Sequence, residues 1–321
     1  MTRFDVSVVG ELNLDLILYG LPEKFQLERE HLAKNLSITL GSSSAIFAHN
    51  LACLGNKVGF SSGIGSDSLG EICRERLAEA QVDLSGIKTF PGRTTGLTII
   101  LPQAGGRYIL TYPGTMYDLE FRHLNLAHIL AAKHLHVSSY YLQTGLRPDF
   151  AELFRRAKES GLSTSLDTND DPQDSWADDV REVLRYVDVF LPNEAEACKI
   201  AKSEHLDAAA RILSKQVPLL VVKCGARGVV AWRGNEKTVA PALAITPVDA
   251  VGAGDSFDAG FVHQFIRGAS IDRCLHFANV TGALSVTRAG GTEAFRDAAH
   301  RERFLRDRWT GDAASGTHSA W

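Results

Sequence analysis

The sequence lacks the features that mark secreted, zinc-binding and membrane proteins. Its five cysteines are scattered and include no Cys-x-x-Cys pair, so we expect neither a disulfide framework nor a zinc site. No apolar run reaches the roughly 18 residues that a membrane-spanning helix needs. A net charge of -4 offers no basic surface for nucleic acid. We therefore expect a cytoplasmic protein with reduced thiols and with no membrane or nucleic-acid partner.

The composition is that of a globular domain with a sizeable core. The chain has 321 residues, of which 45% are hydrophobic and 22% charged, and this length suits one large α/β domain. Short apolar runs typical of buried strands, such as residues 6–9 and 219–223, alternate with helical patterns such as residues 45–54. This alternation predicts a mostly parallel sheet with helices on both faces. Ligands of such sheets bind at the carboxyl ends of the strands.

The most specific functional signal is residues 249–261, with the sequence DAVGAGDSFDAGF. Gly252 and Gly254 allow a tight turn close to a ligand, and the phenylalanines that recur every fourth residue predict a helix after it. The loop amides would then lie at a helix N-terminus, which attracts anions. Asp255 would repel a phosphate but could take a proton from an attacking hydroxyl. Gly-x-Gly alone would indicate only a tight turn.

The full string resembles the signature of the ribokinase-like sugar kinases, also called the pfkB family. This resemblance implies a three-layer α/β fold with a small β lid, and phosphorylation of a sugar hydroxyl by ATP. It implies that Gly252, Ala253 and Gly254 form an anion hole for the transferred phosphate and that Asp255 is the general base. Asp249 matches a position that often ligates a monovalent cation. It could bind K⁺ or brace the loop, and the sequence leaves both open.

An early polar pair is the first candidate for substrate binding. Residues 12–18 alternate with period two, so Asn13 and Asp15 share one face of a predicted strand. That face could be the solvated side of an edge strand. In the ribokinase-like family a pair of this kind contacts sugar hydroxyls, so the resemblance implies substrate binding by Asn13 and Asp15.

The Gly-Ser-Ser-Ser sequence that starts at Gly41 resembles the family's Gly-Gly loop, which opens a helix beside the sugar. Ser42 stands where the family has the second glycine, and a hydroxyl of Ser43 or Ser44 is expected to cap the helix. Ile46 occupies the place of a common sugar-contacting Asn. Because Ile46 cannot hydrogen-bond a sugar, the acceptor could differ from that of ribokinase, or the change could concern packing alone.

Asn193 and Glu196 match the family's Asn-x-x-Glu motif, which organises Mg²⁺ and the nucleotide phosphates, partly through water. The proposal is physically reasonable because Mg²⁺ keeps much of its water shell and accepts carboxylate oxygens. Without the resemblance, an Asn-Glu sequence after a strand would indicate an ordinary helix cap.

The remaining site candidates also come from the resemblance. Gly225 and Gly228 belong to the segment beside the nucleotide phosphates, and Lys223 would offer charge there or would only cap a strand end. Asn279 lies on a helix that borders the adenine pocket. Asp167 ends a strand at the substrate face, either as a substrate contact or as a support for one.

The resemblance covers residues from about 4 to 305. We expect a kinase domain over residues 1–309, with lid strands from about 12–40 and 92–115 that include a hairpin, and a frayed tail over 310–321. In the family the lid often forms a dimer contact, so a homodimer through the lid is expected.

The acceptor stays open between ribose, fructose, 2-keto-3-deoxygluconate and a sugar phosphate. An unphosphorylated sugar is favoured because no Lys/Arg cluster serves a second phosphate. The alternatives are a nucleoside kinase of the same fold and a non-catalytic nucleotide-binding regulator.

Overall fold

A computed structural model of the protein describes residues 2–309, which form one sheet of nine strands and a smaller sheet of four. In chain order the strands are β1 Phe4–Val9, β2 Asn13–Tyr19, β3 Asn35–Leu40, β4 Val58–Gly65, β5 Asp83–Phe90, β6 Gly96–Gln103, β7 Gly106–Tyr112, β8 Ala132–Val137, β9 Ser163–Leu166, β10 Val189–Phe190, β11 Leu219–Lys223, β12 Val229–Arg233 and β13 Glu236–Ala240. The helices are α1 Ser43–Cys53, α2 Ser68–Glu79, α3 Leu126–Ile129, α4 Phe150–Glu159, α5 Val180–Leu184, α6 Glu194–Ile200, α7 Leu206–Leu213, α8 Ala253–Phe265, α9 Ile271–Ser285, α10 Glu293–Arg296 and α11 Ala298–Arg308.

The large sheet is mostly parallel, as the sequence predicted. Its strand order is β13-β12-β11-β10-β9-β8-β1-β4-β5, and within the described residues only β11–β12 and β12–β13 pair antiparallel. Successive residues of a strand point to opposite faces, so Leu220 joins one apolar core and Val221 the other. Helices α4 to α7 contribute to the first core, and α1, α2, α8 and α9 contribute to the second. The predicted three-layer α/β arrangement is confirmed.

The small sheet has the order β3-β2-β6-β7. Strands β6 and β7 form the predicted hairpin, and β2 pairs with β6 on one side and with β3 on the other. Strand β2 is therefore interior, and the interpretation of Asn13 and Asp15 as the solvated side of an edge strand is wrong. Both side chains are buried, to 3% and 5% exposure.

Helix α1 begins at Ser43 without the predicted hydroxyl cap. Its N-cap residue is Ser42, and no side chain makes a capping hydrogen bond there. The two hydroxyls have other partners: Ser43 Oγ accepts from Asn169 Nδ2 at 3.0 Å, and Ser44 Oγ donates to Glu11 Oε2 at 2.7 Å. The capping prediction is wrong because these tertiary partners compete for the hydroxyls.

Helix α8 carries the glycine-rich loop at its N-terminus. Gly252, the N-cap residue, has a left-handed backbone with φ of 72°. A Cβ at this position would lie 2.5 Å from Gly291 Cα, so both conformation and packing require glycine. The buried side chains of Phe257 and Phe261 fix the helix against the core, which holds its first turn in one place.

Two further predictions concern membrane-spanning helices and the extent of the domain. No helix within residues 2–309 is both long and apolar enough to cross a membrane. The predicted frayed tail, residues 310–321, lies outside the described residues, and the extent of the domain and its lid stays a prediction.

Replacing Gly260 by alanine should destabilise the protein by about 1–3 kcal/mol, the usual effect of overpacking. The added Cβ would lie 2.0 Å from Thr281 Oγ1, where α8 crosses α9. Denaturant titration of the free energy of unfolding measures the effect. Gly106→Ala is the matched control, because nothing lies within 4 Å of its Cβ position. Equal losses in the two variants would contradict the close packing of α8 on α9.

Candidate active site

The first turn of α8 opens onto a cavity of about 750 Å³ between the two sheets. The loop and first turn from Ala250 to Asp255 line the cavity, and the first amides of a helix have no carbonyl partner within it. A Cβ on Gly254 would meet only Lys223 Nζ, at 3.7 Å. The space in front of these amides is therefore open, and the turn can bind an anion.

Asp255 lies in this turn, and its side chain is 8% exposed. Burial is the largest cause that raises its pKa, to about 7, and the charge of Asp167 raises it further. Lys223 and a hydrogen bond from Ser43 act in the opposite direction. A carboxylate with such a pKa can accept a proton from a hydroxyl near neutral pH.

Asp15 faces the same cavity from the small sheet, and its carboxylate has no hydrogen-bond partner among residues 2–309. Burial, with the charges of Asp255 and Asp249, raises its pKa to about 7, while Arg107 lowers it. A Cβ on Gly41 would lie 2.2 Å from Asp15 Oδ1, so glycine lets the backbone pass this carboxylate. An unpartnered buried carboxylate is suited to accept hydrogen bonds from a ligand.

Asn13 is held next to Asp15 by two neighbours. Its Nδ2 donates to Thr98 Oγ1 at 2.8 Å, and its Oδ1 accepts a hydrogen bond from Ser42 Oγ. The backbone of Ser42 has a φ of 66°, a strained conformation for a residue with a side chain. Ser42 stands where the family has its second glycine. In this backbone conformation the Ser42 hydroxyl contacts Asn13.

Asn193 and Glu196 line the cavity and also form a helix cap. Asn193 Oδ1 accepts from Glu196 N at 3.0 Å, and Glu196 Oε2 accepts from Asn193 N at 2.8 Å. The helix-cap interpretation is confirmed, and the role of the motif toward Mg²⁺ and the nucleotide phosphates stays a prediction. Burial, with the charge of Asp167, raises the pKa of Glu196 to about 8.

The residues present fit a water-mediated Mg²⁺ site better than a protein cage. No group of three His, Cys, Asp or Glu side chains within residues 2–309 could hold a metal ion. Glu196 presents one buried carboxylate to the cavity. Mg²⁺ commonly binds through one or two carboxylates while keeping waters and substrate phosphates as its other ligands.

Lys223 reaches the cavity but is held by two carboxylates. Its Nζ lies 2.6 Å from Asp167 Oδ2 and 3.0 Å from Asp258 Oδ2. Asp258 was absent from the sequence-based candidates, although it stands three residues after Asp255 and therefore near the same face of α8. Glu11 was also missed. It lines the cavity and continues the alternation of Asn13 and Asp15 toward the N-terminus.

Four predicted residues do not line the cavity: Gly41, Gly228, Asp249 and Asn279. Gly228 has a φ of 92°, and a Cβ there would lie 2.2 Å from Ala240 O, so it shapes a turn. Asn279 Nδ2 donates to Pro241 O at 2.9 Å, which ties α9 to the loop after β13. The predicted contact of Asn279 with adenine stays a prediction.

Asp249 braces the loop that precedes α8. Its Oδ1 accepts from Val251 N at 3.0 Å, and its Oδ2 accepts from Tyr19 OH at 3.0 Å and from Gly290 N at 3.1 Å. These bonds join the small sheet, the glycine-rich loop and the turn after α9. These hydrogen bonds support the interpretation that Asp249 braces the loop. The binding of a monovalent cation by Asp249 stays a prediction.

The cavity wall also has an apolar part beneath the small sheet. It is formed by side chains from β6, β7, α1 and the connections that follow β7 and β8, namely Ile46, Ile100, Ile109, Met116 and Leu142. Ile46, the departure from the family's Asn, belongs to this group and is 3% exposed. The same cavity thus offers polar groups near Asp15 and apolar surface beside them.

Comparisons with known proteins agree with this geometry. The family model of the pfkB family carbohydrate kinases matches residues 3–298. The chain is 26% identical over 311 residues to a ribokinase of Haemophilus influenzae, covering 94% of this chain and 99% of that protein. It is 27% identical over 278 residues to a cytidine kinase of Thermococcus kodakarensis, covering 84% and 92%.

Solved structures share the fold. An E. coli protein assigned as ribokinase II, solved with ATP and Mg²⁺, matches with a TM-score of 0.82 at 23% identity, covering 95% of this chain and 100% of the other. The ribokinase-like fold that the sequence motifs implied is confirmed.

The protein without ligands should lose stability as the pH rises from 6.5, the ordinary pKa of histidine, to about 8, the pKa of Glu196. Asp15, Asp255 and Glu196 have raised pKa values. The folded state therefore binds more protons than the unfolded state in this range, and stability falls with pH. Buried histidines such as His134, whose pKa is lowered, act oppositely, and their effect fades above 6.5 as histidine in the unfolded state loses its proton.

Urea titrations between these pH values measure the decline. Asp15→Asn should make it smaller by on the order of 1 kcal/mol. Parallel pH dependences for the variant and the unmodified protein would contradict the raised pKa of Asp15.

Proposed function

The chain belongs to the pfkB family of carbohydrate kinases, and we propose that it transfers the γ-phosphoryl group of ATP to a hydroxyl of a sugar, with Asp255 as general base. One observation carries the proposal. Asp255 and the unpartnered carboxylate of Asp15 face one cavity, and the open amides of the α8 N-terminus lie beside Asp255. This arrangement combines an acceptor site, a base and an anion site.

The acceptor would be held by Asn13 and Asp15, with Gly41 and Ser42 shaping that side of the cavity and Asp167 supporting it. Asp255 takes the proton as the acceptor oxygen attacks the γ-phosphorus. The bond from phosphorus to the bridging oxygen breaks, and ADP leaves. The amides of residues 253–255 stabilise the charge on the transferred group, and most of the rate enhancement comes from positioning and electrostatics.

The nucleotide would lie along the carboxyl ends of β10 and β11. Asn193, Lys223 and Gly225 line this part of the cavity, while Gly228 and Asn279 shape the backbone next to it. Mg²⁺, when bound, neutralises phosphate charge. Glu196 would hold it, with Asn193 fixing the orientation of that carboxylate.

A nucleoside is the second candidate acceptor. The apolar side chains beneath the small sheet, Ile46 among them, could cover a flat base, and a cytidine kinase is among the similar proteins. A phosphorylated sugar is less favoured because Lys223 is paired with Asp167 and Asp258, which leaves Arg107 as the one cationic side chain of the described cavity lining without an ion pair. A panel of sugars, sugar phosphates and nucleosides with ATP separates these acceptors, and complete inactivity would favour a non-catalytic nucleotide-binding regulator.

The small sheet would act as a lid and as a dimer contact. Its exposed apolar side chains include Leu36, Ile38, Tyr108, Leu110 and Tyr112. Burying such a surface between two copies is favourable. We place the protein in the cytoplasm, with a K⁺ ion at Asp249 as an optional activator.

Asp255→Asn should lower kcat by at least about 10²-fold, the low end for a lost general base. The amide keeps the shape of the side chain but cannot take the proton. Steady-state kinetics with the acceptor found in the panel measure the effect. Asp67→Asn is the matched control: it removes a carboxylate at the N-cap of α2 that does not line the cavity, and it should cost stability but not kcat. Near-full activity of Asp255→Asn would contradict the assignment.

Gly254→Val should lower kcat/KM for ATP by about 10²-fold, as for a lost oxyanion donor. Only Lys223 Nζ lies near the added Cβ, at 3.7 Å, so the variant should fold while its methyl groups fill the space before the amides. Gly254→Ala should have a smaller effect. Unchanged ATP kinetics in both variants, with unchanged thermal stability, would contradict the anion hole.

A further inference from the structure

A buried ion cluster lies beside the first turn of α8. Lys223 Nζ at the end of β11 contacts Asp167 after β9 and both carboxylate oxygens of Asp258 on α8, at 2.6, 3.0 and 3.2 Å. Asp167 and Asp258 are each 1% exposed. The cluster therefore joins two strand ends to the helix that carries Asp255.

The lysine is fixed more firmly than a surface ion pair would be. Buried charges persist only when partners compensate for their desolvation, and here two carboxylates from different elements hold one ammonium. Removing Lys223 alone would leave two uncompensated buried carboxylates, whereas removing Asp258 would leave the pair of Lys223 with Asp167. The ammonium consequently has little freedom to move toward a ligand, although it lies 3.7 Å from the Cβ position of Gly254.

We propose that Lys223, anchored by Asp167 and Asp258, is a positioning residue that acts through its charge beside the anion hole and favours the ionised form of Asp255 for proton abstraction. The inference rests on the proposed function and extends it. It gives Lys223 an electrostatic role toward the base, and it gives Asp258 the role of holding Lys223 in place. Lys223 Nζ lies 3.7 Å from the Cβ position of Gly254, the residue before Asp255, and in a partly desolvated site a charge this near the base shifts its ionisation.

Other charged groups also face Asp255, and the proposal concerns their balance. They come from four elements besides α8 and are Glu11, Asp15, Asp167 and Lys223. Three of these four groups are carboxylates that oppose ionisation of Asp255, and Lys223 alone favours it. Without the ammonium, the negative neighbours would keep the base protonated to higher pH.

The test compares Asp258→Asn with the double variant Lys223→Met/Asp258→Asn. Both lack the Asp258 carboxylate, so they differ only in the ammonium, and the asparagine spares the double variant one unpaired buried charge. The pH dependence of kcat is measured at saturating MgATP and acceptor. We expect the acid limb of the double variant to lie at least about 0.5 pH unit above that of Asp258→Asn, with kcat at neutral pH lower by about 3-fold or more.

Lys158→Met/Asp188→Asn is the matched control. It removes another Lys–Asp pair, which joins the end of α4 to the residue before β10, and its acid limb should coincide with that of the unmodified enzyme. Coinciding limbs for Asp258→Asn and the double variant would overturn the inference. A shift of the control equal to that of the double variant would also overturn it.

If the double variant fails to fold, Lys223→Gln/Asp258→Asn replaces it, with the same expected shift. A wrong assignment of Asp255 as the base would give a different result. The single variant Asp255→Asn, with Lys223 and Asp258 intact, would then retain activity. An active enzyme that depends on Asp255 but shows no shift would contradict only the role of Lys223.

Discussion

The site depends on one packing constraint, the contact of the Gly252 backbone with Gly291. No side chain fits at Gly252, where a Cβ would lie 2.5 Å from Gly291 Cα, and the left-handed turn there sets the direction in which α8 begins. Because the first turn of α8 faces the cavity, its free amides and Asp255 point to the same space. The rest of the large sheet supplies the rigid frame that holds this turn beneath the small sheet.

The second constraint is electrostatic. The cavity collects the buried carboxylates of Asp15 on β2, Glu196 on α6 and Asp255 on α8, and their pKa values are raised because burial and the charges of neighbouring carboxylates disfavour ionisation. Such an arrangement lowers the stability of the empty protein near neutral pH. In the proposed reaction the same arrangement would give Asp255 a pKa suited to a general base and would leave Asp15 to accept hydrogen bonds from the acceptor.

Hydrogen bonds link the small sheet to this centre. Tyr19 of β2 donates to Asp249, which also holds the loop before α8. The strand that carries Asn13 and Asp15 is therefore connected to the turn that carries Asp255. A change in the position of the small sheet on acceptor binding would reach the anion-binding turn through these contacts, which is a physical route from acceptor binding to assembly of the reacting groups.

The sequence by itself determined the fold class and much of the site. Period-two alternation placed Asn13 and Asp15 on one face, and the glycines before a phenylalanine-rich helix located the turn that we propose binds an anion, because these features follow from local geometry. Only the tertiary structure decided the partners of Lys223, the role of Asp258 as its anchor and the loss of the hydroxyl cap on α1. Those outcomes depend on contacts between residues far apart in the chain, which compete with local preferences and leave no periodic signal.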